Sequence, residues 1–422
     1  MPTILGCIAD DMTGASDLAT SLAQNGMSTL MMPGLPTSRP LTPASALVVA
    51  LKTRTIAASE ACEQAVAAAE WLLEQGARHL YFKYCSTFDS TDAGNIGPVI
   101  EALMRQLGSE ITLACPAFPA LRRTVYQGHL FVGDRLLSES SLKDHPLTPM
   151  RDADLVRVLQ RQLAVQRAGL LELTTVENGS EAIQARLDSL RRDSRRVVIV
   201  DAIFERHLQE VAEAAHQLPL LTGGSALAAC LPERYRQIGA LAEARDSAEL
   251  PSIDGPVAIL SGSCSAATRE QVADFAAELP IVAVDPIALD AGASSADSLF
   301  DSAHDLWSAG AVAFASSASP NAVEAAQRQL GRKRAAERIE QTFADLAVRL
   351  VAHGVRKLIV AGGETSGAVL EALGLRQLLI GPAIEPGVPW CAHPSEPQLL
   401  VALKSGNFGS RQFFTRAIEA LP

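Results

Sequence analysis

Two adjacent carboxylates close the first apolar run of the chain. Asp10 and Asp11 follow the strand-like stretch Thr3–Ala9, and Thr13-Gly14 then opens a segment of helical period. Ligands of open parallel sheets bind at the carboxyl ends of strands, so one of these aspartates could act as a general base or hold a metal ion. Alternatively, Asp11 or Thr13 only caps the helix, which is worth about 1 kcal/mol. The residues alone leave both interpretations open.

Successive side chains of an extended strand point to opposite faces, so Asp10 and Asp11 are not expected to meet the same ligand. We expect Asp11 to be the catalytic base, with Asp10 as the alternative. The other aspartate would then cap the helix or support a metal ion. Asp17 ends this segment and is a candidate for substrate binding.

A denser group of polar side chains follows the apolar run His79–Phe82. A polyhydroxy acid requires such a mixture, because a lysine can pair with its carboxylate while Asp, Ser and Thr exchange hydrogen bonds with its hydroxyls. A solvated turn that caps the next helix is the alternative. Cys85 lies inside the group and is interpreted as a packing residue. The predicted substrate-binding residues here are Lys83, Ser86, Thr87, Asp89, Thr91 and Asn95.

Three turns rich in glycine and hydroxyl groups follow apolar runs in the second half of the chain. They are SGSCS from Ser261, GGETSG from Gly362 and KSGNFG from Lys404. Glycine lets backbone N–H groups approach a phosphate closely, and a helix N-terminus adds positive potential. One such turn is common in α/β proteins, but three together favour a nucleotide site. Neither a P-loop nor a dinucleotide-binding glycine motif is present.

Apolar runs alternate with helical segments on both sides of a polar stretch. Glu243–Pro256 shows neither strand nor helical periodicity. We therefore interpret it as a linker between domains 1–242 and 257–422. The alternation predicts an α/β fold in which each domain has a mainly parallel sheet covered by helices. The expected strands are Thr3–Ala9, Ala46–Leu51, His79–Phe82, Ile111–Ala114, Val197–Val200, Val257–Leu260, Ile281–Val284, Ala311–Ala315, Leu358–Ala361 and Leu399–Leu403.

Composition limits the classes of partner. The 422 residues carry a formal net charge of −11, which argues against a nucleic-acid-binding surface. The seven cysteines are scattered and never form C-x-x-C, and the chain starts without a basic and apolar leader. These features predict a cytoplasmic protein without a membrane segment, which could form a homo-oligomer.

Several motifs in this order resemble those of the four-carbon acid sugar kinases. The resemblance runs from Thr3 to Phe414 and rests on IADDMTGASD, YFKYCSTFDST, GNIGP, LFVGDRLLSESSLKDHPLTPM, LSGSCS, AGGETSG, PGVPW and LKSGNFG. It implies a first domain that binds a sugar acid, a second that binds ATP, and an active site in the cleft between them. The implied nucleotide contacts are Ser263, Gly362, Gly363, Glu364, Thr365 and Gly406, to which we add Ser265 from the first turn.

The reaction implied by this resemblance is transfer of the γ-phosphoryl group of ATP to the 4-hydroxyl of 3-oxo-tetronate. Mg²⁺ is expected with ATP, because phosphoryl transfer depends on neutralising the phosphate charge. A kinase of the same family that acts on D-threonate or D-erythronate is the first alternative. A non-catalytic sugar-acid sensor is the second, although a sensor would not need the carboxylates at Asp10 and Asp11.

Overall fold

The computed structural model describes residues 3–145, 148–242, 250–316, 320–395 and 398–421. It separates into two units, Met1–Ser247 and Ala248–Pro422. Residues 243–249 of the predicted linker lie outside the described residues. The exact domain limits at residues 242 and 257 stay predictions.

The first unit is built on short strands that are buried on both faces, as expected for a parallel sheet covered by helices. All neighbouring strands of its main sheet run parallel, in the order β2-β3-β1-β4-β11-β5-β10-β9. These strands are β1 (Leu5–Ala9), β2 (Thr29–Pro33), β3 (Ala46–Ala50), β4 (His79–Lys83), β5 (Thr112–Cys115), β9 (Arg167–Leu171), β10 (Arg195–Val200) and β11 (Leu220–Gly223). A small antiparallel sheet contains β6 (Arg123–Tyr126), β7 (His129–Val132) and β8 (Arg135–Leu136).

The helices of this unit bury alanine- and leucine-rich faces. Their bounds are α1 (Met12–Gln24), α2 (Ala58–Glu74), α3 (Ile96–Leu107), α4 (Leu155–Gln162), α5 (Leu173–Val176), α6 (Ser180–Arg192), α7 (Glu205–Ala215) and α8 (Ser225–Gln237).

The register of three central strands brings distant polar segments together. Ala9, the last residue of β1, pairs with Ala50 of β3 on one side and with Lys83 of β4 on the other. The segments that begin at Asp10, Leu51 and Lys83 therefore leave the sheet side by side.

The second unit repeats this principle with an antiparallel hairpin at one side. Its strand order is β13-β14-β12-β15-β18-β17-β16, and only β17 runs antiparallel to its neighbours. The strands are β12 (Val257–Ser261), β13 (Ile281–Ala283), β14 (Ala311–Ala315), β15 (Lys357–Ala361), β16 (Leu378–Glu385), β17 (Val388–Ala392) and β18 (Leu400–Lys404). The helices are α9 (Ala266–Phe275), α10 (Pro286–Asp290), α11 (Ala296–Ser302), α12 (Pro320–Leu330), α13 (Arg332–Ala352), α14 (Gly363–Ala372) and α15 (Phe413–Glu419).

In this unit the carboxyl ends of three strands again coincide. Ser261 of β12 pairs with Ala361 of β15, which pairs in turn with Lys404 of β18. The three glycine turns predicted from the sequence follow these ends. They therefore lie next to one another at one edge of the sheet.

The predicted fold class is confirmed: both units are α/β, with mainly parallel sheets covered by helices. Each expected strand is present with bounds shifted by at most two residues. Asp154 caps α4 at its start, and the helix stops at Gln162. Strands β2, β9 and β11 and the hairpin β16–β17 were not predicted.

Gly223 provides a stability test of the sheet that carries the site. Its φ is +155°, and a Cβ atom there would lie far inside van der Waals contact with the carbonyl oxygen of Cys115 on the neighbouring strand. Gly223→Ala should therefore lower the free energy of unfolding by about 2–4 kcal/mol. Gly239→Ala is the control, because Gly239 also has positive φ but open space around it. Equal urea midpoints for the two variants would contradict this.

Candidate active site

Arg54 lies at the centre of the polar cluster at the edge of the first unit's sheet. Its Nε and Nη2 donate to the two carboxylate oxygens of Asp10 at 2.9 and 2.7 Å, and Nη2 also donates to Asp11 at 2.7 Å. Its Nη1 lies 3.9 Å from Asp89. One guanidinium thus connects carboxylates from the two segments that the sequence singled out.

Asp11 is the N-cap of α1, as the capping interpretation of the sequence proposed. Its Oδ1 accepts from the backbone N–H of Gly14 at 2.9 Å and its Oδ2 from the hydroxyl of Thr13 at 2.8 Å. Burial raises the pKa of this carboxyl, but Arg54 and Lys83, together with these hydrogen bonds, outweigh burial and leave the pKa below its usual value. Asp11 is therefore ionised at neutral pH, and it retains partial exposure to solvent.

Asp10 is more deeply placed than Asp11. Its side chain is 5% exposed, and burial raises the pKa of its carboxyl against the opposing effect of Arg54. The backbone carbonyl of Asp10 accepts from the N–H groups of Thr53 and Arg54, which fixes the loop that carries the guanidinium. Asp10 thus anchors Arg54 through both its side chain and its backbone.

Lys83 and Asp17 form a second ion pair beside this cluster. The Lys83 ammonium lies 4.0 Å from Asp17 Oδ2 and donates to the carbonyl oxygen of Tyr84 at 3.0 Å. The hydroxyl of Ser225, at the start of α8, donates to Asp17 at 2.5 Å. Gly14 makes room for this arrangement, since a Cβ atom there would lie 3.3 Å from the ammonium and would collide with Asp11.

The segment after Lys83 turns back towards Arg54. The Thr87 hydroxyl donates to Asp89 Oδ1 at 2.6 Å. Phe88 and Asp89 both have positive φ, which is uncommon for residues other than glycine and marks strain that the surrounding contacts hold in place. Burial raises the pKa of the Cys85 thiol to about 11, so it is protonated at neutral pH and is no nucleophile.

Three other predicted residues lie around this cluster, and their described contacts are with residues other than its charged groups. Ser86 adjoins Gly224 in the turn before α8. The Thr91 carbonyl accepts from Gln162 at 2.6 Å. The Asn95 amide donates to the carbonyl oxygen of Thr53 at 2.5 Å. Asn95 therefore anchors the loop that carries Arg54.

Sequence reasoning missed Arg54 and did not assign Ser225 to a site. Both follow strand ends, Arg54 after β3 and Ser225 after β11. The predicted strand Ala46–Leu51 ends just before a lysine, two threonines and an arginine, but nothing in that stretch says which of them meets Asp10. Ser225 stands in a fourth glycine turn, Thr222-Gly223-Gly224-Ser225, which the sequence shows but leaves open to either site or to neither.

The charge balance of this cluster narrows what it can bind. Asp10, Asp11, Asp17 and Asp89 face two cations, Arg54 and Lys83, so carboxylates are in excess. Hydroxyl groups, which donate to carboxylates, suit such a cluster.

In the second unit, a cavity of about 750 Å³ opens over the three glycine turns. Such a volume lies within the usual range for small-molecule and cofactor sites. The lining combines polar and apolar residues. The glycine turns contribute Gly262, Ser263, Gly362, Gly363, Glu364, Thr365 and Gly406, and the apolar residues include Val284, Pro286, Ile287, Ala335, Ala336 and Ile339.

The three glycine turns that line the cavity are in direct contact with one another. Gly262 is needed for this packing, because a Cβ atom there would overlap the Thr365 hydroxyl, and one on Gly406 would overlap Ser263 Oγ. Ser265 caps α9 by accepting from the N–H of Thr268 at 3.2 Å. The predicted nucleotide residues are thus brought together, although Ser265 does not line the cavity.

No metal-binding cluster of three or more His, Cys, Asp or Glu side chains is found in the part of the chain that the structure describes. Within the same residues, no helix is both long and apolar enough to cross a membrane.

Comparison with known proteins agrees with this division of sites. A sugar-binding N-terminal domain model matches residues 5–231, and a nucleotide-binding C-terminal domain model matches residues 258–414. Proteins named 3-oxo-tetronate kinase from Burkholderia multivorans and Cupriavidus necator are each 50% identical to this chain, and the alignments cover 99% of it and 97% of each relative. This chain belongs to the four-carbon acid sugar kinase family.

Solved structures share the fold of this chain. A Salmonella typhimurium LT2 protein of known crystal structure is 41% identical with a TM-score of 0.90, covering 99% of both chains. A Haemophilus influenzae protein is 40% identical with a TM-score of 0.86, covering 99% of this chain and 100% of the other. The two-unit fold is therefore shared along the whole chain.

The Asp10–Arg54 pair in this kinase can be tested by pH. Arg54→Met should cost about 3–5 kcal/mol of unfolding free energy by leaving a buried carboxylate without its counter-ion. The folded-state pKa of Asp10 is already raised, so the variant binds a proton on folding, and its stability should rise as the pH falls. Urea unfolding at pH 5 and pH 8 measures this.

The matched control is the double variant Asp10→Asn/Arg54→Met, which has no buried carboxylate at this position. It should regain part of the lost stability and lose the pH dependence. A loss in Arg54→Met that is equal at both pH values would contradict the assigned role of the pair.

Proposed function

We propose that this protein is an ATP-dependent kinase that phosphorylates the 4-hydroxyl of 3-oxo-tetronate. The observation that carries the proposal is the full-length similarity to proteins named for that substrate, at 50% identity. The polar cluster around Arg54 supports a polyhydroxy substrate, and the cavity over the glycine turns supports a nucleotide.

In this proposal the polar and apolar residues that line the cavity in the second unit hold different parts of ATP. The phosphates lie against the turns at Ser263, Gly363 and Gly406, where backbone N–H groups and the N-terminus of α14 favour negative charge. The adenine ring lies against the apolar residues, between Ile287 and Ile339. Every predicted nucleotide residue except Ser265 lines this cavity. Ser265 shapes the site by capping α9.

Mg²⁺ enters with ATP, since it commonly binds through phosphate oxygens and one or two carboxylates rather than in a cage made of protein alone. Glu364 and Thr365 of the lining carry a carboxylate and a hydroxyl that would hold it. These hard ligands fit the metal, which would neutralise charge on the phosphates.

The sugar acid binds at the cluster around Arg54. Hydroxyls of the substrate donate to Asp11, Asp17 and Asp89, which fits the excess of carboxylates there. Its carboxylate pairs with Arg54 Nη1, because this nitrogen is 3.9 Å from Asp89 and so not engaged with it in a hydrogen bond. Lys83, only 3% exposed, contributes positive potential from beneath. The other predicted contacts, Ser86, Thr87, Thr91 and Asn95, complete the wall of this site in the proposal.

The general base is Asp11, with Asp10 as the alternative. Both oxygens of each aspartate accept hydrogen bonds within the protein, but the Asp10 side chain is almost fully buried. Asp11 is ionised and partly exposed, so it can accept a proton from a substrate hydroxyl. This difference favours Asp11 within the proposal.

Purified protein, ATP and Mg²⁺ with a panel of four-carbon acids test the substrate assignment by ADP release. 3-Oxo-tetronate should give the highest kcat/KM. Preference for D-threonate or D-erythronate would replace it with another activity of the same family. ATP binding without turnover on any of these acids would instead favour the sugar-acid sensor.

Asn substitutions test the base. Asp11→Asn should lower kcat by about 10²–10⁴-fold with little change in the KM for ATP, because the amide cannot accept the proton. Asn can still cap a helix, so α1 should keep its stability and the circular dichroism spectrum should not change. Asp10→Asn is the comparison. Near-normal kcat in both variants would transfer the role to another carboxylate, Asp89 or Asp92.

Cytoplasmic location, a homo-oligomeric state and an active site in the cleft between the domains stay predictions from the sequence. Gel filtration with light scattering measures the oligomeric state directly.

A further inference from the structure

Lys404 is a lysine with no exposed surface at the end of β18. Its ammonium lies within 3.2 Å of four oxygen atoms, which belong to the Thr268 hydroxyl and to the backbone carbonyls of Ser405, Gly406 and Phe408. A buried ammonium is costly unless its donors are satisfied, and here neutral dipoles satisfy them. The arrangement resembles a cation in a cage of oxygen ligands.

The carboxylate that acts on Lys404 is engaged elsewhere. Glu385 exerts an attractive effect on the ammonium, but its oxygens accept from the backbone N–H and hydroxyl of Ser410 and from Arg416. Nearby, Asp274 of α9 pairs with Arg411. Among the described residues, the Lys404 ammonium therefore binds carbonyl groups of the loop after β18 and forms no direct salt bridge.

Two further residues of α9 draw the same loop inward. Thr268 Oγ1 donates to the Gly406 carbonyl at 2.7 Å, and Lys404 donates to the same carbonyl. The side-chain amide of Gln271 donates to the carbonyls of Phe408, Gly409 and Ser410 at 2.9–3.0 Å. The carbonyl groups of residues 406 and 408–410 thus accept from α9, and that of Ser405 accepts from Lys404.

This orientation fixes the direction of the neighbouring N–H groups. In a trans peptide unit the C=O and the next N–H point in opposite directions. With the carbonyls of Ser405 and Gly406 held by the ammonium, the N–H groups of Gly406 and Asn407 point away from it. Gly406 lines the nucleotide cavity, and N–H groups that face a cavity in this way are suited to binding an anion.

We propose that Lys404 is a positioning residue for nucleotide binding, acting as a built-in cation that holds the carbonyls of residues 405, 406 and 408 and so presents the N–H groups of Gly406 and Asn407 to the phosphates of ATP. The proposal rests on the proposed function, which places the phosphates at this turn. Lys404 itself does not touch the nucleotide.

Burial lowers the pKa of Lys404 to about 8, and Glu385 opposes this shift. Below this pH the ammonium can donate three hydrogen bonds, and above it the neutral amine keeps two and loses its charge. ATP affinity should therefore fall as the pH rises through about 8. The charged groups on the elements packed around Lys404 are Glu385, Asp274, Arg411 and Arg416.

The first test is Lys404→Ala with chemical rescue. Removing a charge-assisted contact of this kind should raise the dissociation constant for ATP about tenfold or more. Ammonium or methylamine ions should restore much of the loss by entering the emptied cage, whereas lithium chloride of equal ionic strength should not. Lys357→Ala, at the opposite end of the adjacent strand β15, is the control and should bind ATP normally.

The second test needs no substitution in its first arm and so does not depend on whether Lys404→Ala folds. The wild-type dissociation constant for ATP, measured by calorimetry from pH 6.5 to 9.5, should rise through about pH 8, and Lys404→Met should give a flat profile. Normal ATP binding by Lys404→Ala, or a flat wild-type profile, would overturn the role of Lys404. Failure of the wild type to bind ATP at any pH would instead overturn the proposed function.

Discussion

The burial of Asp10 beneath Arg54 is the interaction on which the first unit's site depends. A carboxylate that is 5% exposed is tolerated only with a counter-ion, and Arg54 meets it with two hydrogen bonds of 2.7–2.9 Å. The same guanidinium then reaches Asp11 and approaches Asp89, so three strand-end segments are tied by one side chain. The need to neutralise one buried charge therefore organises the polar groups that remain available to a ligand.

The second unit solves a related problem with the opposite charge. Lys404 is buried without a direct carboxylate partner, and its ammonium is held by backbone carbonyls and one hydroxyl. In the first unit side-chain charges form the site, whereas in the second they orient the backbone. That difference matches the expected ligands, since a sugar acid presents hydroxyls that must be individually recognised and a triphosphate presents many equivalent oxygens.

Much of this could be predicted from the sequence, for identifiable reasons. Strand ends followed by Asp10, Lys83 and Gly362 were visible because buried parallel strands are continuous apolar runs and the polar residues after them stand out. Arg54 was missed because its importance comes from the pairing of β1 with β3, which no local pattern encodes. Lys404 was noted only as the start of a glycine turn, since a lysine after a strand usually extends into solvent. Burial of such a residue is a tertiary property.

Helix capping and a catalytic role, which the sequence set against each other, are compatible in Asp11. Asp11 caps α1 through Gly14 and is nevertheless ionised and partly exposed, so capping and catalysis are not exclusive alternatives for this residue. An N-cap aspartate has a fixed orientation and a depressed pKa, which makes it a weak base but a well-placed one. Phosphoryl transfer through a loose transition state requires little basicity and strict positioning. A carboxylate held by a helix N-terminus and an arginine meets that requirement better than a mobile one with a higher pKa.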